Sequence, residues 1–295
     1  MKLQNKLRTR GVWFFTETMD SEHAIAFAQK VESLNYSALW LPETTGRDPF
    51  SHISMLLANT ERLVFATGIV NIHHRHPGVT KQAATTLAEM CDNRFLLGLG
   101  VSHAPLVEGL RQLDYSKPLR AMRNYLTAMK NSPYTSVPPS EDPPYVLAAL
   151  GPKMMELAAE MTDGAHPYWT TPEHTAQARE LLGKDKMLCV EQKVAFTTDK
   201  EVAYQTVRTE LARYINLPNY RNNWKRLGFS EEEIDATSDR FIDELVAWGT
   251  LDQINERLNE HEEAGASHIC IQPLAVHGEF GNPHWEALEA LSPTS

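Results

Sequence analysis

The feature that most constrains the fold is a regular alternation of short apolar segments with segments of helical periodicity. In the first helical segment the apolar residues recur every three or four positions, at Ala24, Phe27, Ala28, Val31 and Leu34. Such alternation is typical of parallel β/α architecture. It predicts a (β/α)8 TIM barrel, an α/β fold, formed by residues 1–295 as a single domain with insertions. The eight predicted strands are Val12–Phe15, Ala38–Leu41, Leu63–Ala66, Arg94–Gly100, Tyr145–Ala149, Gly164–Tyr168, one within Leu188–Phe196, and His268–Gln272.

Local capping signals predict where several helices begin. The first begins near Asp20 or Ser21, and a later one follows Thr171, with a proline at its first position. Thr250 and Gln253 have the spacing of a capping box. A long helical stretch is predicted over Glu201–Trp248, with interruptions near Pro218 and Gly228.

Composition excludes several classes of function. The net charge is −10, from 28 basic and 38 acidic residues, which gives no support to nucleic-acid or membrane-surface binding. Cys91, Cys189 and Cys270 are widely spaced and odd in number, which favours a reducing compartment. The amino terminus lacks the apolar run of a signal peptide, and no segment is long and apolar enough to span a bilayer. We therefore expect a cytoplasmic protein.

The functional residues of such a barrel are expected at the carboxyl ends of its strands. The segment Ala66–Pro77 is the most informative, because a buried strand runs into a cluster of histidines with Arg75 and ends at a proline. Further candidates by position are Thr16 and Glu17, Glu43 and Thr44, Gly100–His103, Leu150–Lys153, His166–Trp169, and Gln272 with Pro273.

The turn from Ala148 to Met154 predicts an anion site. A strand of small residues turns at Gly151 into a helix start, where backbone N–H groups are unpaired, and Lys153 adds positive charge. A cofactor phosphate is the expected guest. The alternative is an ordinary strand-to-helix turn.

Three other candidates have alternative interpretations. His73, His74 and His76 suggest a metal site, but barrel metallohydrolases draw ligands from several strands, and the first strand carries no histidine. Glu43 could instead cap a loop or pair with Arg47. His103 could be only a helix-start residue.

Several motifs carry a family resemblance. They are Gly-Ile-x-Asn-x-x-x-Arg-His-Pro at 68–77, Asn-Arg-Phe-Leu-Leu-Gly-Leu-Gly-Val at 93–101, Trp-Leu-Pro-Glu at 40–43, the turn at 148–154 and the last strand with its lead-in at 264–272. In this order and spacing they resemble the bacterial-luciferase-like oxidoreductases, and within them the branch that uses the deazaflavin coenzyme F-420.

The resemblance implies a (β/α)8 barrel, often a homodimer, that binds FMN or F-420 in the cavity at the strand carboxyl ends. It also implies that Glu43 faces the cofactor ring and that a cis peptide at Gly68-Ile69 backs the deazaflavin. The implied cofactor-binding residues are Glu43, Gly68, Ile69, Asn71, Gly100, Val101, Ser102, Ala149, Leu150, Gly151, Pro152, Lys153, Met154 and His166.

Two departures from the family pattern bear on the substrate. The sugar-phosphate dehydrogenases of this group carry a histidine where this chain has Thr44 and a glutamate where it has Val101, which argues against a sugar phosphate. The nearest polar replacements are Ser102 and His103. We predict His103 to be the proton donor or acceptor, with Glu43 as the second catalytic residue.

The predicted activity is hydride transfer between F-420 and a small organic substrate, with no metal. The alternatives are an FMN-dependent monooxygenase, a metallohydrolase, and a non-catalytic protein that binds the cofactor.

Overall fold

The parallel strands of this protein close into a barrel. The computed structural model describes residues 3–7, 10–278 and 280–293. The strands in these ranges are β1 (Arg10–Trp13), β2 (Ala38–Leu41), β3 (Val64–Thr67), β4 (Val70–Asn71), β5 (Phe95–Gly100), β6 (Tyr145–Leu147), β7 (Gly164–Ala165), β8 (Met187–Ala195), β9 (Val246–Trp248) and β10 (His268–Pro273).

The order of the strands explains the closure. Along the sheet they run β10-β1-β2-β3-β5-β6-β7-β8, and β10 pairs in parallel with both β1 and β8. In the closing ladder His268 lies opposite Cys189, and Ile269 lies opposite Arg10. The predicted (β/α)8 TIM barrel is therefore confirmed. The short strands β4 and β9 add to the carboxyl ends of β5 and β8.

A break between β3 and β4 shapes one side of the barrel mouth. Gly68 and Ile69 interrupt the strand, and the peptide bond between them is cis, as the family resemblance implies. After this β3–β4 bulge, Val70 resumes parallel pairing opposite Leu99 of β5. A Cβ at Gly68 would lie 2.5 Å from Nε1 of Trp13, so the bulge accepts only glycine at this position.

Helices follow the strands around the outside of the barrel. Those of the described ranges are α1 (Leu3–Lys6), α2 (Ser21–Ser33), α3 (Pro49–Leu57), α4 (Pro77–Met90), a π-helix (Pro105–Leu110), α5 (Pro118–Asn131), α6 (Pro152–Met161), α7 (Pro172–Leu182), α8 (Lys200–Leu211), α9 (Pro218–Arg226), α10 (Glu231–Asp235), α11 (Asp239–Leu245), α12 (Leu251–Glu263) and α13 (Trp285–Ala290). The predicted caps of α2, α7 and α12 are present: Asp20, Thr171 and Thr250 each accept a hydrogen bond from a first-turn N–H.

The predicted helical stretch Glu201–Trp248 is partly wrong. It divides into α8, α9, α10 and α11, and its last residues, Val246–Trp248, form strand β9. The predicted interruptions near Pro218 and Gly228 are present, because α9 begins at Pro218 and α10 begins after Gly228. The helix start that Ser238 caps was not predicted. Val246 leaves the helical conformation because its backbone pairs with Lys193 of β8.

Two buried layers lie on either side of the sheet. Side chains such as Trp40, Ala66, Leu96 and Cys189 fill the inside of the barrel. A larger layer packs the outer face of the sheet against the helices. Within the described ranges, no helix has both the length and the apolar character that a bilayer crossing requires.

Candidate active site

The predicted site residues follow adjacent strands of the barrel. Glu43 follows β2, the β3–β4 bulge ends in Asn71, and Val101–His103 follow β5. The anion turn follows β6, and His166 follows β7. Because carboxyl ends of parallel strands lie at one end of a barrel, these residues are on one side of its mouth.

Glu43 fastens the β3–β4 bulge. Its backbone N–H donates to the carbonyl of Ile69 at 3.3 Å, and its Oε2 accepts from the N–H of Asn71 at 2.8 Å. Its Oε1 lies 2.6 Å from Nη1 of Arg75, and only 6% of the side chain is exposed. The alternative partner Arg47 is wrong, since that side chain donates to the carbonyl of Met19. Glu43 therefore holds the bulge in place from both of its ends.

The three histidines after the bulge have separate roles. His74 contacts Asn71 through Nε2 at 3.0 Å, and its Nδ1 lies 3.4 Å from Glu43. His76 accepts from the N–H of Gly78 at the start of α4. His73 packs near Tyr115, with their ring centroids 5.9 Å apart. In the described ranges these and other His, Cys, Asp and Glu side chains form no group of three or more placed to hold a metal ion.

His166 lies beneath the bulge as a neutral acceptor. Its Nδ1 is 2.8 Å from the carbonyl of Cys189, which can only accept, so the ring proton is on Nδ1. Burial lowers the pKa of His166 to about 4, so the ring is uncharged at neutral pH. Its Nε2 is buried without a hydrogen-bond partner and would lie 3.3 Å from a Cβ at Gly68. The ring stacks on Trp40 with centroids 4.3 Å apart.

The turn at Gly151 is cationic, and one of its charges was not predicted. Gly151 precedes α6 with extended backbone and provides no side-chain cap. Lys153 is exposed in the first turn. A Cβ at Gly151 would lie 3.2 Å from Nη2 of Arg226, which is the last residue of α9. Among the described residues, no carboxylate pairs with Arg226. Unpaired N–H groups and two cations at one turn form an arrangement suited to a phosphate.

His103 has a free ring nitrogen at the carboxyl end of β5. Its carbonyl accepts from the N–H groups of Leu106 and Val107, so its backbone does begin a helix, as the alternative interpretation holds. Its side chain has a separate position, with the ring 5.5 Å from that of Tyr220 and with Nδ1 buried and unpartnered. Burial lowers the pKa of His103, and the neighbouring Asn219 opposes this with a smaller effect.

A buried ion pair on β8 was missed by the sequence interpretation. Nζ of Lys193 lies 3.0 Å from Oε1 of Glu191, and both side chains are 1% exposed. The same Nζ lies 3.6 Å from the ring centroid of Tyr168 and 3.9 Å from that of Trp169. The available signal was two charged residues in an apolar strand, two positions apart and therefore on the same face.

An aromatic cover over the barrel mouth was also missed. Tyr220 and Trp224 of α9 stack with ring centroids 5.8 Å apart, and Nε1 of Trp224 donates to the carbonyl of Trp169. The ring of Tyr214 lies 5.4 Å from that of Tyr220, and its hydroxyl lies 3.2 Å from that of Tyr168. These aromatic contacts place α9, and therefore Arg226, at the carboxyl ends of the strands.

Comparison of the sequence with known families covers most of the chain. A sequence model of the luciferase-like monooxygenases matches residues 7–268. The chain belongs to this family. Its members and structural neighbours include both oxidoreductases and monooxygenases, so this luciferase-like protein is an enzyme of that broad kind.

Relatives of this luciferase-like protein include F-420-dependent enzymes. A putative coenzyme F-420-dependent oxidoreductase of Mycobacterium tuberculosis is 23% identical, over 88% of this chain and 92% of the relative. The structure of the coenzyme F-420-dependent tetrahydromethanopterin reductase from Methanopyrus kandleri superposes with a TM-score of 0.78 at 14% identity, over 97% of both chains. The oxygenating constituent of 3,6-diketocamphane monooxygenase from Pseudomonas putida, in complex with FMN, gives 0.69 at 16% identity, over 97% of this chain and 96% of the other.

The role of Glu43 as a clamp leads to a first prediction. Glu43→Gln keeps one acceptor oxygen but loses the charge that Arg75 pairs with, so we expect the free energy of unfolding to fall by about 1–3 kcal/mol. Cofactor binding should weaken in parallel, because the bulge loosens. Denaturant unfolding measures the first effect, and a cofactor titration the second. Glu61→Gln, at an exposed position, is the control. Equal free energies of unfolding in the two variants would contradict the role of Glu43 in holding the bulge.

Proposed function

We propose that this protein is an F-420-dependent oxidoreductase that transfers a hydride between the deazaflavin coenzyme and a small organic substrate. Family membership supports the broad class, and the F-420 dependence of a relative and of structural neighbours supports F-420 as the cofactor. A homodimer in the cytoplasm stays a prediction from the family resemblance and the composition.

The observation that carries the proposal is the cationic turn at Gly151. The N–H groups of the first turn of α6 lie beside the guanidinium of Arg226, whose Nη2 donates to Oδ1 of Asn223 at 3.1 Å and pairs with no carboxylate of the described residues. Lys153 adds a second positive charge in the same turn. The turn follows β6 and the β3–β4 bulge follows β3, with only β5 between these two strands in the sheet. These residues fit a cofactor that has a flat ring system and a phosphate some distance from it.

The residues of the chain would have distinct tasks around such a cofactor. When bound, F-420 supplies the hydride chemistry at its deazaflavin ring. The bulge, held by Glu43, would support one face of the ring, and His166 would offer an acceptor nitrogen beneath it. His103 would accept or donate the substrate proton, because its Nδ1 has no other partner. The aromatic cover of Tyr214, Tyr220 and Trp224 would exclude water.

A binding titration tests the proposal. Quenching of cofactor fluorescence should give an F-420 affinity at least about tenfold tighter than that for FMN, a difference of about 1.4 kcal/mol. In Arg226→Gln the F-420 affinity should fall by about 10–100-fold, since a charge-assisted phosphate contact is lost. Lys225→Gln is the matched control. The Lys225 side chain pairs with Glu231 at the surface, 2.7 Å away, so this variant should bind F-420 as tightly as the parent does.

The alternatives give different results in the same titration. Equal or tighter FMN binding would favour the FMN-dependent monooxygenase. Tight F-420 binding without turnover on any substrate of a broad panel would favour a non-catalytic cofactor-binding protein. An unchanged F-420 affinity in Arg226→Gln would mean that the phosphate lies elsewhere.

A further inference from the structure

The buried ion pair on β8 begins a chain of side-chain hydrogen bonds whose direction is fixed. Nζ of Lys193 donates to Oε1 of Glu191 at 3.0 Å and to Oε1 of Gln272 at 3.1 Å. Lysine can only donate, so the oxygen end of the Gln272 amide faces it. The hydroxyl of Tyr168 lies 2.9 Å from the same oxygen and must donate to it. The hydroxyl of Tyr214, 3.2 Å from that of Tyr168, is therefore the donor of the last bond.

This chain of hydrogen bonds ends beside the proposed acid–base group. The ring of Tyr214 meets that of Tyr220 edge to face, with centroids 5.4 Å apart. The ring of Tyr220 lies 5.5 Å from that of His103, and Tyr220 itself is only 6% exposed. Asn219, the preceding residue of α9, also lies beside the imidazole. The position of α9 therefore determines the surroundings of His103.

The carboxylate of the ion pair makes a second connection to α9. Oε2 of Glu191 accepts from the N–H of Trp169 at 3.2 Å, and the Trp169 ring lies 3.9 Å from Nζ of Lys193. Trp169 has a φ of 58°, a left-handed conformation that a bulky residue adopts only where its surroundings enforce it. In this conformation its carbonyl accepts from Nε1 of Trp224, whose ring stacks on that of Tyr220.

The need to fill space does not explain a charged pair at this position. Both side chains are 1% exposed, and two apolar residues of similar size would pack there without the cost of removing charges from water. Only the charged groups supply what the neighbouring residues use. The ammonium group of Lys193 fixes the orientation of the Gln272 amide, and the carboxylate of Glu191 holds the N–H of Trp169. The pair therefore provides orientation.

We infer that Glu191, Lys193 and Tyr168 are positioning residues, which hold Tyr220 of α9 against His103. They act on the reaction through His103, by keeping its imidazole covered and in one place. This inference deepens the proposed function and rests on it for the role of His103. The packing around His103 can nevertheless be measured on the protein alone, without cofactor or substrate.

The first test measures the pKa of His103 by NMR titration of the full-length protein with ¹³C-labelled histidine, in which His103→Ala identifies the signal. In the double variant Lys193→Met, Glu191→Leu the pKa should rise by at least about 0.5 toward the ordinary value of about 6.5, because water reaches a ring whose burial lowers its pKa. Tyr168→Phe removes one hydroxyl and keeps the ring, and it should raise the pKa of His103 in the same direction. This variant keeps the test decisive if the double variant does not fold.

Tyr36→Phe is the matched control for Tyr168→Phe. The hydroxyl of Tyr36 is also buried and donates one hydrogen bond, to the carbonyl of Leu288 at 2.8 Å. Tyr36 precedes β2 and therefore lies at the amino end of the barrel, away from the mouth. Its variant should lose a similar hydrogen bond and leave the pKa of His103 within about 0.2 of the parent value.

The second test is kinetic and uses single-turnover measurements at saturating F-420. Tyr168→Phe should slow hydride transfer about tenfold, because the acid–base group is less well placed. When Tyr168→Phe is added to His103→Ala, the rate should change by less than about twofold, because the group that Tyr168 positions is absent.

Several results would overturn the inference. They are an unchanged pKa of His103 in Tyr168→Phe, an equal rise of that pKa in Tyr36→Phe, or equal slowing by Tyr168→Phe with and without His103. A protein in which the pKa of His103 responds as expected but which does not bind F-420 would refute the proposed function and leave the positioning role intact.

Discussion

Replacing Lys193 with alanine is expected to lower the free energy of unfolding by about 3–5 kcal/mol, as measured by chemical denaturation. In the parent protein the ammonium group of Lys193 lies 3.0 Å from the carboxyl group of Glu191, whose side chain is 1% exposed. The change removes this ammonium group and leaves the buried carboxyl group without a partner of opposite charge. Burial already raises the pKa of Glu191 and lowers that of Lys193, because each charge is costly away from water and only its partner offsets that cost. The variant also removes the cation from the faces of Tyr168 and Trp169.

Two comparisons separate this effect from the loss of any lysine. Lys200→Ala removes an exposed pair with Asp239, in which the side chains are 52% and 61% exposed, and should change stability far less. The double variant Lys193→Met, Glu191→Leu should recover most of the lost stability, since apolar residues of similar size leave no unpaired charge. A double variant less stable than Lys193→Ala would contradict this explanation.

Replacing His103 with alanine is expected to slow hydride transfer by about 10²–10⁴-fold with little change in cofactor affinity. The reason is the unpartnered Nδ1 of His103 at the carboxyl end of β5, beside Tyr220. Single-turnover kinetics on an accepted substrate measures the step directly. His23→Ala, at an exposed histidine that pairs with Asp20, is the control. A rate for His103→Ala within about threefold of the parent would remove His103 from the mechanism.

The pH dependence of the same step gives a second measurement of His103. Burial lowers its pKa below the ordinary histidine value of about 6.5, so the neutral ring prevails at pH 7. If the neutral ring accepts the substrate proton, the rate should be constant near neutral pH and fall as the pH drops through the lowered pKa. His103→Ala should lose this acid limb. If the rate of the variant falls at low pH as that of the parent does, the fall is caused by the titration of another group.

The barrel and most of its strand positions were predictable because each depends on short stretches of sequence. The caps of α2, α7 and α12 were predicted correctly, since Asp20, Thr171 and Thr250 act on N–H groups within the next three residues. Strand bounds were less accurate: β1 runs Arg10–Trp13 rather than Val12–Phe15, because its ladder partners are set by Ile269 and Leu39 on neighbouring strands.

Sequence alone determined the fold class, the family and the strand ends at which the candidate site lies, because apolar periodicity, caps and motif order are properties of neighbouring residues. Only the tertiary structure decided the partners within the site. Glu43 pairs with Arg75 rather than Arg47, Arg226 reaches the turn at Gly151, and Lys193 meets Gln272 inside the barrel. Such contacts join residues far apart in the chain, and they form only when the closing of the barrel and the packing of α9 bring those residues together.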